Sequence, residues 1–337
     1  MKRVGRLWER ICTYDNVCLA YAKARRGKRM KADVLRFEEE LEDNISSIVT
    51  QMKNGTYQPG TYHFFKIYDP KERLISAASF TDRVVHHAVM NVCHPYFDRT
   101  LIHSTHATRV GKGIYTALEQ AQRAMARHLF VAKLDVRHYF DSIDHAILLT
   151  RIMRLFKDEE LLNFFHRLIE SYETTEGRGV PIGNLTSQYF ANHYLSGLDH
   201  YVKETLRIPV YVRYMDDMLL FADDKATLKK AVAATRNYCS DKLHLQLKPS
   251  LLYRSNQGTP FLGYRVMPHH LLLSGRSKRR FRTKLFSLAR QYNEGDATEE
   301  TTLLHLRPLF AFTQQAHSNL FRRECLHLLN ERGLTIQ

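Results

Sequence analysis

The segment from residue 209 to 222, PVYVRYMDDMLLFA, restricts the fold more than any other part of the sequence. Two apolar, β-prone runs flank Asp216 and Asp217, and this pattern predicts a buried β-hairpin with both carboxylates at its tight turn. Placing two adjacent carboxylates in a buried turn is unfavourable unless a cation compensates their charge. The segment therefore predicts a cation-binding hairpin.

A further carboxylate lies near the end of another apolar run. Residues 129–136, LFVAKLDV, predict a buried strand, and Asp135 is its next-to-last residue. Mg²⁺ prefers oxygen ligands, and phosphoryl transfer to nucleotides commonly uses two divalent cations held by carboxylates. We therefore expect Asp135, Asp216 and Asp217 to share one two-metal site.

Other acidic residues of the chain fit a simpler role. Asp223 and Asp224 directly precede a helical pattern that starts near Lys225, and Asp141 and Asp144 also precede a predicted helix. Short acidic side chains are favoured at helix N-caps, where they accept backbone hydrogen bonds. We therefore expect these residues to be caps or solvated surface residues and not metal ligands.

The composition indicates a folded, basic protein. The length of 337 residues predicts one elongated unit or two closely packed units, and the 44% of hydrophobic residues are enough for a sizeable core. The formal net charge of +15 indicates a polyanionic partner, and a generally basic surface is the alternative interpretation. The 5 cysteines are odd in number and lack a C-x-x-C pair, which favours reduced thiols in the cytoplasm. No signal peptide, lipid anchor or membrane-spanning run is recognisable in the sequence.

The periodicity predicts helices and strands in alternation, followed by a helical end. A helical pattern over residues 37–52 stops at Asn54, two short strands are expected within residues 61–79, and the basic tail after residue 275 is helical. This order predicts an α+β domain with an appended helical domain, and the two are expected to meet near residue 275.

A basic segment from Lys23 to Lys31, KARRGKRMK, precedes the first long helical pattern. Such a run forms either a solvated loop or a contact with the phosphates of a nucleic acid. The sequence favours neither interpretation over the other.

Several motifs occur in a fixed order along nearly the full length of the chain. They are DPKERLIS, DRVVHHA, KLDVRHYFDSI, PIGNLTSQ, YMDD, a lysine-bearing segment at Leu247-Lys248, and FLGYR. In this order the motifs resemble those of reverse transcriptases. The resemblance implies a right-hand polymerase, with fingers and palm in residues 1–274 (an antiparallel palm sheet plus helices) and a small helical thumb in residues 275–337.

The resemblance gives the aspartates a catalytic role. Asp135, Asp216 and Asp217 would bind two Mg²⁺ ions, for which Mn²⁺ is an expected substitute, and the carbonyl of Val136 would be an additional ligand. Such ions activate the primer 3′-hydroxyl and neutralise the triphosphate and the leaving pyrophosphate.

The resemblance also implies a pocket for the incoming deoxynucleoside triphosphate. Lys71 and Arg73 would clamp the triphosphate, where cations stabilise developing charge. The ring of Phe140 would collide with a ribose 2′-hydroxyl and so select deoxynucleotides, and Lys248 is a candidate for protonating pyrophosphate. The residues implied to contact the nucleotide are Lys71, Arg73, Phe140, Ile182, Gly183, Gln188 and Lys248.

Two further sets of residues would hold nucleic acid. FLGYR resembles the primer grip of the family, which assigns Phe261, Leu262 and Gly263 to the primer. The basic segment of residues 275–284 suits a thumb that contacts the nucleic-acid backbone independently of sequence, and a solvated helix face is the alternative. Its cations are Arg276, Lys278, Arg279, Arg280, Arg282 and Lys284.

The motif at residues 180–188, VPIGNLTSQ, distinguishes among reverse transcriptases. Many bacterial relatives have Gln before the glycine and Ser-Pro at the end, whereas this chain has Ile182, Ser187 and Gln188, which resembles enzymes of diversity-generating retroelements. The Ile182 side chain has no hydrogen-bonding group, so it constrains the incoming sugar less than Gln would. We therefore expect reduced fidelity, especially opposite template adenines, and local packing of Ile182 is the simpler alternative.

Three functions are compatible with these patterns. The first is a cytoplasmic RNA-directed DNA polymerase of a bacterial or phage retroelement, which copies a template RNA into adenine-mutagenised cDNA that diversifies a variable gene. Its expected partners are the template RNA, the RNA/cDNA duplex, dNTPs and an oligomeric basic accessory protein. The second is an antiphage-defence or retron-type reverse transcriptase. The third is a non-enzymatic RNA-binding scaffold, which the complete set of aspartates disfavours.

Overall fold

The structure, a computed structural model, describes residues 2–68 and 72–331. The chain forms two compact units that are each assembled from three segments. The first unit comprises Met1–Val110, Val136–Leu206 and Ala233–Lys248, and the second comprises Gly111–Asp135, Arg207–Val232 and Pro249–Gln337. Both units contain helices as well as antiparallel strands, which confirms the predicted α+β class.

Helices account for much of the described chain. The earlier helices are α1 (Trp8–Ile11), α2 (Tyr14–Ala24), α3 (Ala32–Glu39), α4 (Leu41–Lys53), α5 (Phe80–Asp98), α6 (Ile114–Arg127), α7 (His145–Met153), α8 (Glu159–Glu170), α9 (Leu185–Tyr194) and α10 (Ser196–His200). The later ones are α11 (Lys225–Leu243), α12 (Gly275–Asn293), α13 (Glu299–Gln314) and α14 (Asn319–Glu331). Within residues 2–68 and 72–331, no helix combines the length and the apolar character that crossing a membrane requires.

The strands of the described chain pair in antiparallel sheets. Their bounds are β1 (His63–Ile67), β2 (Arg73–Ala77), β3 (Phe130–Asp135), β4 (Val210–Tyr214), β5 (Asp217–Ala222), β6 (Leu251–Arg254), β7 (Thr259–Phe261), β8 (Tyr264–Val266) and β9 (Leu271–Leu273). β1 pairs with β2 in the first unit, and the second unit contains a sheet of order β4-β5-β3-β6 and another of order β7-β8-β9. The strands predicted within residues 61–79, 129–136 and 209–222 are thereby confirmed.

The helical pattern of residues 37–52 is interrupted, although the spacing predicts one helix. α3 ends one residue before Glu40 and α4 begins one residue after it, because Glu40 leaves the helical region with φ −127° and ψ 50°. The side-chain amide of Asn44 donates to the carbonyl of Phe37 at 3.1 Å, which satisfies a carbonyl near the end of α3. The apolar spacing continues across the break, so periodicity does not reveal it.

Asp82 of the DRVVHHA motif organises the start of α5 in the first unit. The Ser79 hydroxyl caps the helix by accepting the N–H of Asp82 at 3.1 Å, and it donates to Oδ2 of the same residue at 2.7 Å. The buried Asp82 carboxylate also accepts from the Tyr57 hydroxyl and from the N–H of Gly60. Burial, with Asp82 nearby, raises the pKa of Tyr57. These contacts connect the loop before β1 to α5.

The hydrophobic core of the second unit continues from the four-stranded sheet into the C-terminal helices. α12 contributes Phe281, Leu285 and Ala289 at helical spacing. The core residues of the sheets include Val131, Val212, Leu219, Phe221, Phe261 and Tyr264. Because the strands and the helices α12 to α14 share one core, segments that are far apart in sequence fold as a single unit.

Candidate active site

Asp135 and Asp217 lie directly opposite each other on neighbouring strands. β3 and β5 are antiparallel, and their register pairs Asp135 with Asp217 and Lys133 with Leu219. Directly paired side chains have Cβ atoms about 5 Å apart, and like charges in such a pair are destabilising. Met215 and Asp216 form the two-residue turn between β4 and β5, and Asp217 is the first residue of β5. The strands therefore bring the predicted carboxylates to one end of the sheet.

The turn that carries Asp216 is held by a buried arginine. Met215 has a φ of 52°, in the left-handed region that residues other than glycine rarely adopt. Arg213 of β4 is fully buried, and its Nη1 donates to the carbonyl of Met215 at 3.0 Å. The guanidinium thus fixes the carbonyl of a residue with strained backbone geometry.

The carboxylates offer ligands that suit a hard divalent cation. Their donors are all oxygens, which Mg²⁺ prefers, and two of them face each other across the strands. The sequence predicts buried carboxylates, whereas Asp135, Asp216 and Asp217 are half-buried, because Asp135 and Asp217 are terminal residues of their strands and Asp216 lies in the turn. In the described part of the chain, no group of three or more His, Cys, Asp or Glu side chains has the arrangement of a preformed metal site. The three aspartates therefore suit a divalent cation by their oxygen donors and by their position at one end of the sheet. By themselves they do not form a complete set of ligands.

Three of the acidic residues predicted to be caps or surface residues, Asp144, Asp223 and Asp224, accept backbone hydrogen bonds, and the role of Asp141 stays a prediction. Asp144 accepts the N–H of Ile147 at 3.1 Å at the start of α7, and Asp224 accepts the N–H of Thr227 at 2.7 Å at the start of α11. The exposed Asp223 accepts the N–H of Leu129 at 3.1 Å. Their hydrogen bonds confirm that the second aspartate pair differs from the one in the β4-β5 turn.

Segments predicted to contact the nucleotide are joined by backbone hydrogen bonds in the first unit. The N–H of Ser76 in β2 donates to the carbonyl of Ile182 at 3.0 Å. The N–H of Val180 donates to the carbonyl of Phe140 at 2.9 Å. These two bonds bring β2, the 3-10 turn Phe140–Ser142 and the VPIGNLTSQ segment into one cluster.

The cations predicted to clamp the triphosphate lie on the β1-β2 hairpin. Arg73 is the first residue of β2, is exposed, and pairs with Ile67 of β1. Lys71 lies outside the described residues. The hairpin is connected to the VPIGNLTSQ segment through β2, so Arg73 belongs to the same unit and the same hydrogen-bonded cluster as Phe140 and Ile182.

Gly183 and Gln188 are positioned by different features of that cluster. Gly183 has a φ of 120°, and a Cβ at this position would lie 3.1 Å from Cγ2 of Ile75. Both the backbone angle and the close approach therefore require glycine. Gln188 is half-buried in α9, and its Oε1 accepts from the Thr108 hydroxyl at 3.4 Å.

Val136 and Lys248 lie on adjacent stretches of the first unit. Val136 is buried and forms an isolated antiparallel bridge with Leu247, which precedes Lys248. Arg236 of α11 donates from Nη1 to the Leu247 carbonyl at 3.1 Å and from Nη2 to the Lys248 carbonyl at 3.2 Å. The backbone of the predicted lysine-bearing segment is thus fixed by one guanidinium.

The predicted primer grip is a tight hairpin turn in the second unit. Phe261 pairs with Tyr264, and the two residues between them, Leu262 and Gly263, have φ angles of 49° and 87°. Two positive φ angles in a two-residue loop are typical of a type I′ turn. The Ser277 hydroxyl of α12 donates to the Gly263 carbonyl, which connects the turn to the helix that follows.

The predicted thumb cations are exposed along α12. Lys278 and Arg282 also contact α14, because the Lys278 Nζ lies 5.4 Å from the centre of the Phe321 ring and the Arg282 Cζ lies 5.2 Å from it. Such cation–π contacts contribute modestly to packing at exposed sites. Lys278 and Arg282 therefore have a structural partner within the unit, and all six cations remain accessible to solvent.

A basic cavity of about 660 Å³ lies in the first unit, against the face of β1 that carries Phe65. Asp33, which also lines the cavity, forms an ion pair with Arg83. Burial and the nearby Arg83 lower the pKa of Lys28. The segment from Lys23 to Lys31 therefore contributes to a concave basic surface. The cations lining this cavity are Lys28, Lys31, Arg36 and Arg83.

Comparison with known families identifies the fold. The model of a family described as reverse transcriptase (RNA-dependent DNA polymerase) matches residues 67–266, which is more than half of the chain. The chain belongs to this family. The matched range of this reverse transcriptase family member includes Asp135, Asp216 and Asp217. The mixed helices and sheets of the chain agree with the right-hand polymerase fold that the motifs imply.

Relatives of this reverse transcriptase family member include proteins of group II introns. Group II intron-encoded protein LtrA from Lactococcus lactis subsp. cremoris is 26% identical over 171 residues, which are 48% of this chain and 28% of LtrA. Protein YkfC from Escherichia coli (strain K12) is 22% identical over 269 residues, which are 64% of this chain and 69% of YkfC. A solved telomerase from Candida albicans, in complex with a fragment of telomeric RNA, matches with 12% identity and a TM-score of 0.46 over 74% of this chain and 55% of that one. The chain thus spans less than a third of the length of LtrA.

Sequence reasoning missed two cations beside the aspartates. Lys133 precedes Asp135 by two residues, and its Nζ lies 2.9 Å from Oδ1 of Asp217. Arg213 holds the carbonyl of Met215. A charged residue within an apolar strand was the available signal for both, because such residues are rarely buried without a partner.

Proposed function

We propose that this chain is an RNA-directed DNA polymerase, a nucleotidyltransferase that extends a primer on an RNA template. The observation that carries the proposal is the pairing of Asp135 opposite Asp217, next to Asp216, in a chain whose residues 67–266 match the reverse transcriptase family. The resemblance of the surrounding motifs, in their order, supports the same reaction.

The aspartates hold the ions of the reaction. When bound, two Mg²⁺ ions, or Mn²⁺ in their place, lower the pKa of the primer 3′-hydroxyl and neutralise the triphosphate. Asp135, Asp216 and Asp217 provide carboxylate oxygens, and Val136 provides its carbonyl. The β3-β5 register and the contact of Arg213 with the turn hold the backbone that carries these aspartates, so little reorganisation of that backbone is needed at the moment of reaction.

The first unit supplies the residues that select the nucleotide. Arg73, together with Lys71, binds the triphosphate, and the ring of Phe140 excludes a ribose 2′-hydroxyl. The Lys248 ammonium gives a proton to an oxygen of the leaving pyrophosphate. Gly183 and Gln188 complete the contacts of the VPIGNLTSQ segment with the nucleotide.

Nucleic acid is held by residues of the second unit. Phe261, Leu262 and Gly263 grip the primer, and the cations of α12 contact backbone phosphates of the RNA/DNA duplex, a contact that salt weakens. In this proposal residues 1–274 are fingers and palm and residues 275–337 are the thumb.

Primer extension on a defined RNA template tests the proposal. Asp216→Asn removes one of the predicted metal-binding carboxylates and should abolish extension. Asp223→Asn is the matched control, because it makes the same change in the exposed aspartate pair and should leave extension at the wild-type level. Normal extension by Asp216→Asn would refute the assignment of the metal site, and inactivity of the wild-type chain with every primer and template would refute the polymerase.

We also propose that the polymerase serves a diversity-generating retroelement and has reduced fidelity opposite template adenines. Ile182, Ser187 and Gln188 support this subtype by resemblance. Ile182 is half-buried, and its carbonyl accepts the N–H of Ser76, so the backbone is fixed while the side chain offers no hydrogen bond to a sugar. Nucleotide selection then rests on fewer polar contacts.

Misincorporation by purified Ile182→Gln tests the fidelity proposal. We expect fewer errors opposite adenine than in the wild type, because the amide adds a hydrogen-bonding group near the incoming nucleotide. Ile182→Leu, which stays apolar at nearly the same volume, should retain the wild-type error rate. Equal error rates in all three proteins would refute the proposal.

The biological setting has its own test. The proposed partners are a template RNA, dNTPs and an oligomeric basic accessory protein, in the cytoplasm of a bacterium or of a phage-infected cell. A template repeat near the coding sequence, with a nearly identical variable repeat that differs at adenines, is the expected genomic neighbourhood. Absence of such repeats would favour an antiphage-defence or retron-type role for the same chemistry.

A further inference from the structure

Lys133 lies in β3, where every other residue except the terminal Asp135 is apolar. Its side chain is 17% exposed, and its Nζ lies 2.9 Å from Oδ1 of Asp217. The register pairs Lys133 with Leu219, so Asp217 is the diagonal neighbour on the same face of the sheet. A diagonal neighbour is within reach of a long side chain. The strand pairing therefore directs this ammonium to a predicted metal ligand.

The same ammonium contacts a second hairpin of the same unit. Its Nζ donates to the carbonyl of Pro260 at 3.0 Å. Pro260 belongs to β7, which leads directly into the Leu262-Gly263 turn of the predicted primer grip. One side chain thus joins the strand that carries Asp217 to the hairpin that is proposed to hold the primer.

We propose that Lys133 is a positioning residue for nucleotide addition. The ammonium fixes the rotation of the Asp217 carboxylate by holding Oδ1, which sets the direction of Oδ2, and it ties the primer-grip hairpin to the catalytic strands. This inference rests on the proposed polymerase function. It adds to that function a residue, Lys133, that couples the primer-grip hairpin to the aspartates.

Two roles of Lys133 predict opposite effects on cation binding. If the ammonium only compensated the repulsion between Asp135 and Asp217, its removal would make the carboxylate pair more negative and tighten the binding of a divalent cation. If it positions Asp217, its removal weakens binding, because supporting residues around metal ligands typically contribute roughly 10- to 100-fold in metal affinity or activity.

The experiment compares Mn²⁺ binding to the full chain by electron paramagnetic resonance, without nucleic acid. Lys133→Met keeps the aliphatic stem and removes the ammonium, and we expect its Mn²⁺ affinity to fall roughly 10-fold or more. Lys133→Arg keeps a charged donor and should restore most of the affinity. Lys229→Met removes the same charge from an exposed position of α11 and should bind Mn²⁺ as the wild type does. Tighter or unchanged binding by Lys133→Met overturns the proposal.

Amide hydrogen exchange tests the connection to the primer hairpin. Residues 259–266 should exchange faster in Lys133→Met than in Lys229→Met, and unchanged exchange would refute the tie. Where Lys133→Met does not fold, Lys133→Leu provides the same comparison, because it also removes the ammonium and its donors. These two measurements do not depend on activity. Absence of primer extension by the wild-type chain would refute the proposed polymerase function only, and the binding and exchange data would still test the proposed role of Lys133.

Discussion

Arg213 and Met215 show how single residues maintain the geometry of the aspartate turn. Met215 adopts a φ of 52°, which a side chain with a Cβ tolerates only when its surroundings enforce it. The fully buried Arg213 donates to the Met215 carbonyl at 3.0 Å. The strained residue and the buried charge therefore stabilise one arrangement of the turn together.

We expect Arg213→Met to lower the free energy of unfolding by about 1–3 kcal/mol, because it removes the buried guanidinium that donates to the partly buried Met215 carbonyl. Primer extension should fall more strongly than stability, since the turn also carries Asp216. Urea denaturation and single-nucleotide extension measure the two effects. Arg127→Met, at an exposed position of α6, is the control. Wild-type stability and extension in Arg213→Met would show that the contact is unimportant.

Gly183 gives a second prediction for a single residue. Gly183→Ala places a Cβ 3.1 Å from Cγ2 of Ile75 at a φ of 120°, so β2 must shift or the backbone must change. We expect a loss of about 1–3 kcal/mol in stability and weaker dNTP binding. Gly55→Ala is the matched control in the same unit, because Gly55 has a φ of 69° but nothing within 4 Å of its added Cβ. If both variants lose the same stability, the close approach to Ile75 is not the cause.

Individual strands could be predicted from the sequence, whereas their mutual placement could not. Apolar, β-prone runs predict β3 and the β4-β5 hairpin, with Asp135 and Asp217 near strand ends. The register that sets these two residues opposite each other depends on pairing between segments about 80 residues apart, which local patterns do not encode. For the same reason the contact of Lys133 with Asp217 was missed.

The cavity beside the β1-β2 hairpin bears on the role of the basic segment before α3, for which the sequence allows a solvated loop or a phosphate contact. Lys28 and Lys31 line a cavity with Arg36 and Arg83, next to Phe65 of β1, so they are not simply dispersed in a solvated loop. Cations beside an exposed aromatic ring suit the backbone and bases of single-stranded RNA. The phosphate-contact interpretation is therefore favoured, and it is open to measurement.

The double variant Lys28→Gln/Lys31→Gln should bind single-stranded RNA more weakly. Each phosphate contact that is lost reduces the slope of log K against log salt by about 0.7 for single strands. Fluorescence anisotropy across a salt series measures that slope. Lys53→Gln removes an exposed charge of the same unit from α4 and should leave the slope unchanged. An unchanged slope in the double variant would show that the segment is a solvated loop that does not contact phosphates.

The second unit, considered as a whole, does not separate its strands from its C-terminal helices. The strands β7 and β8 share their core with Phe281, Leu285 and Phe321 of the helices that follow. The predicted boundary at residue 275 coincides with the first residue of α12. Within the described residues, the helices after it have no separate hydrophobic core, so the proposed thumb of residues 275–337 is a functional division and not a structural one.

A chain that ends at Ser274 should therefore lose the cooperative unfolding of the second unit. Its apolar strands β7 and β8 would lose their packing partners, and thermal unfolding followed by circular dichroism should show a broadened transition. The full-length double variant Arg276→Gln/Arg279→Gln keeps that core and should unfold as the wild type does, while its binding of an RNA/DNA duplex weakens. A sharp, wild-type transition in the truncated chain would show that the helices form a separate domain.

The pairing of Asp135 with Asp217 has a consequence for how sequences of this kind can change over time. Side chains alternate between the two faces of a strand, so one inserted or deleted residue between Val210 and Asp217 turns every later side chain of the hairpin over. Substitutions in the segment alter packing by degrees, whereas a change in its length removes a carboxylate from its partner in a single step. We therefore expect natural variants to keep the residue count of this segment constant, with Arg213, Asp216 and Asp217 retained and the apolar positions around them free to differ.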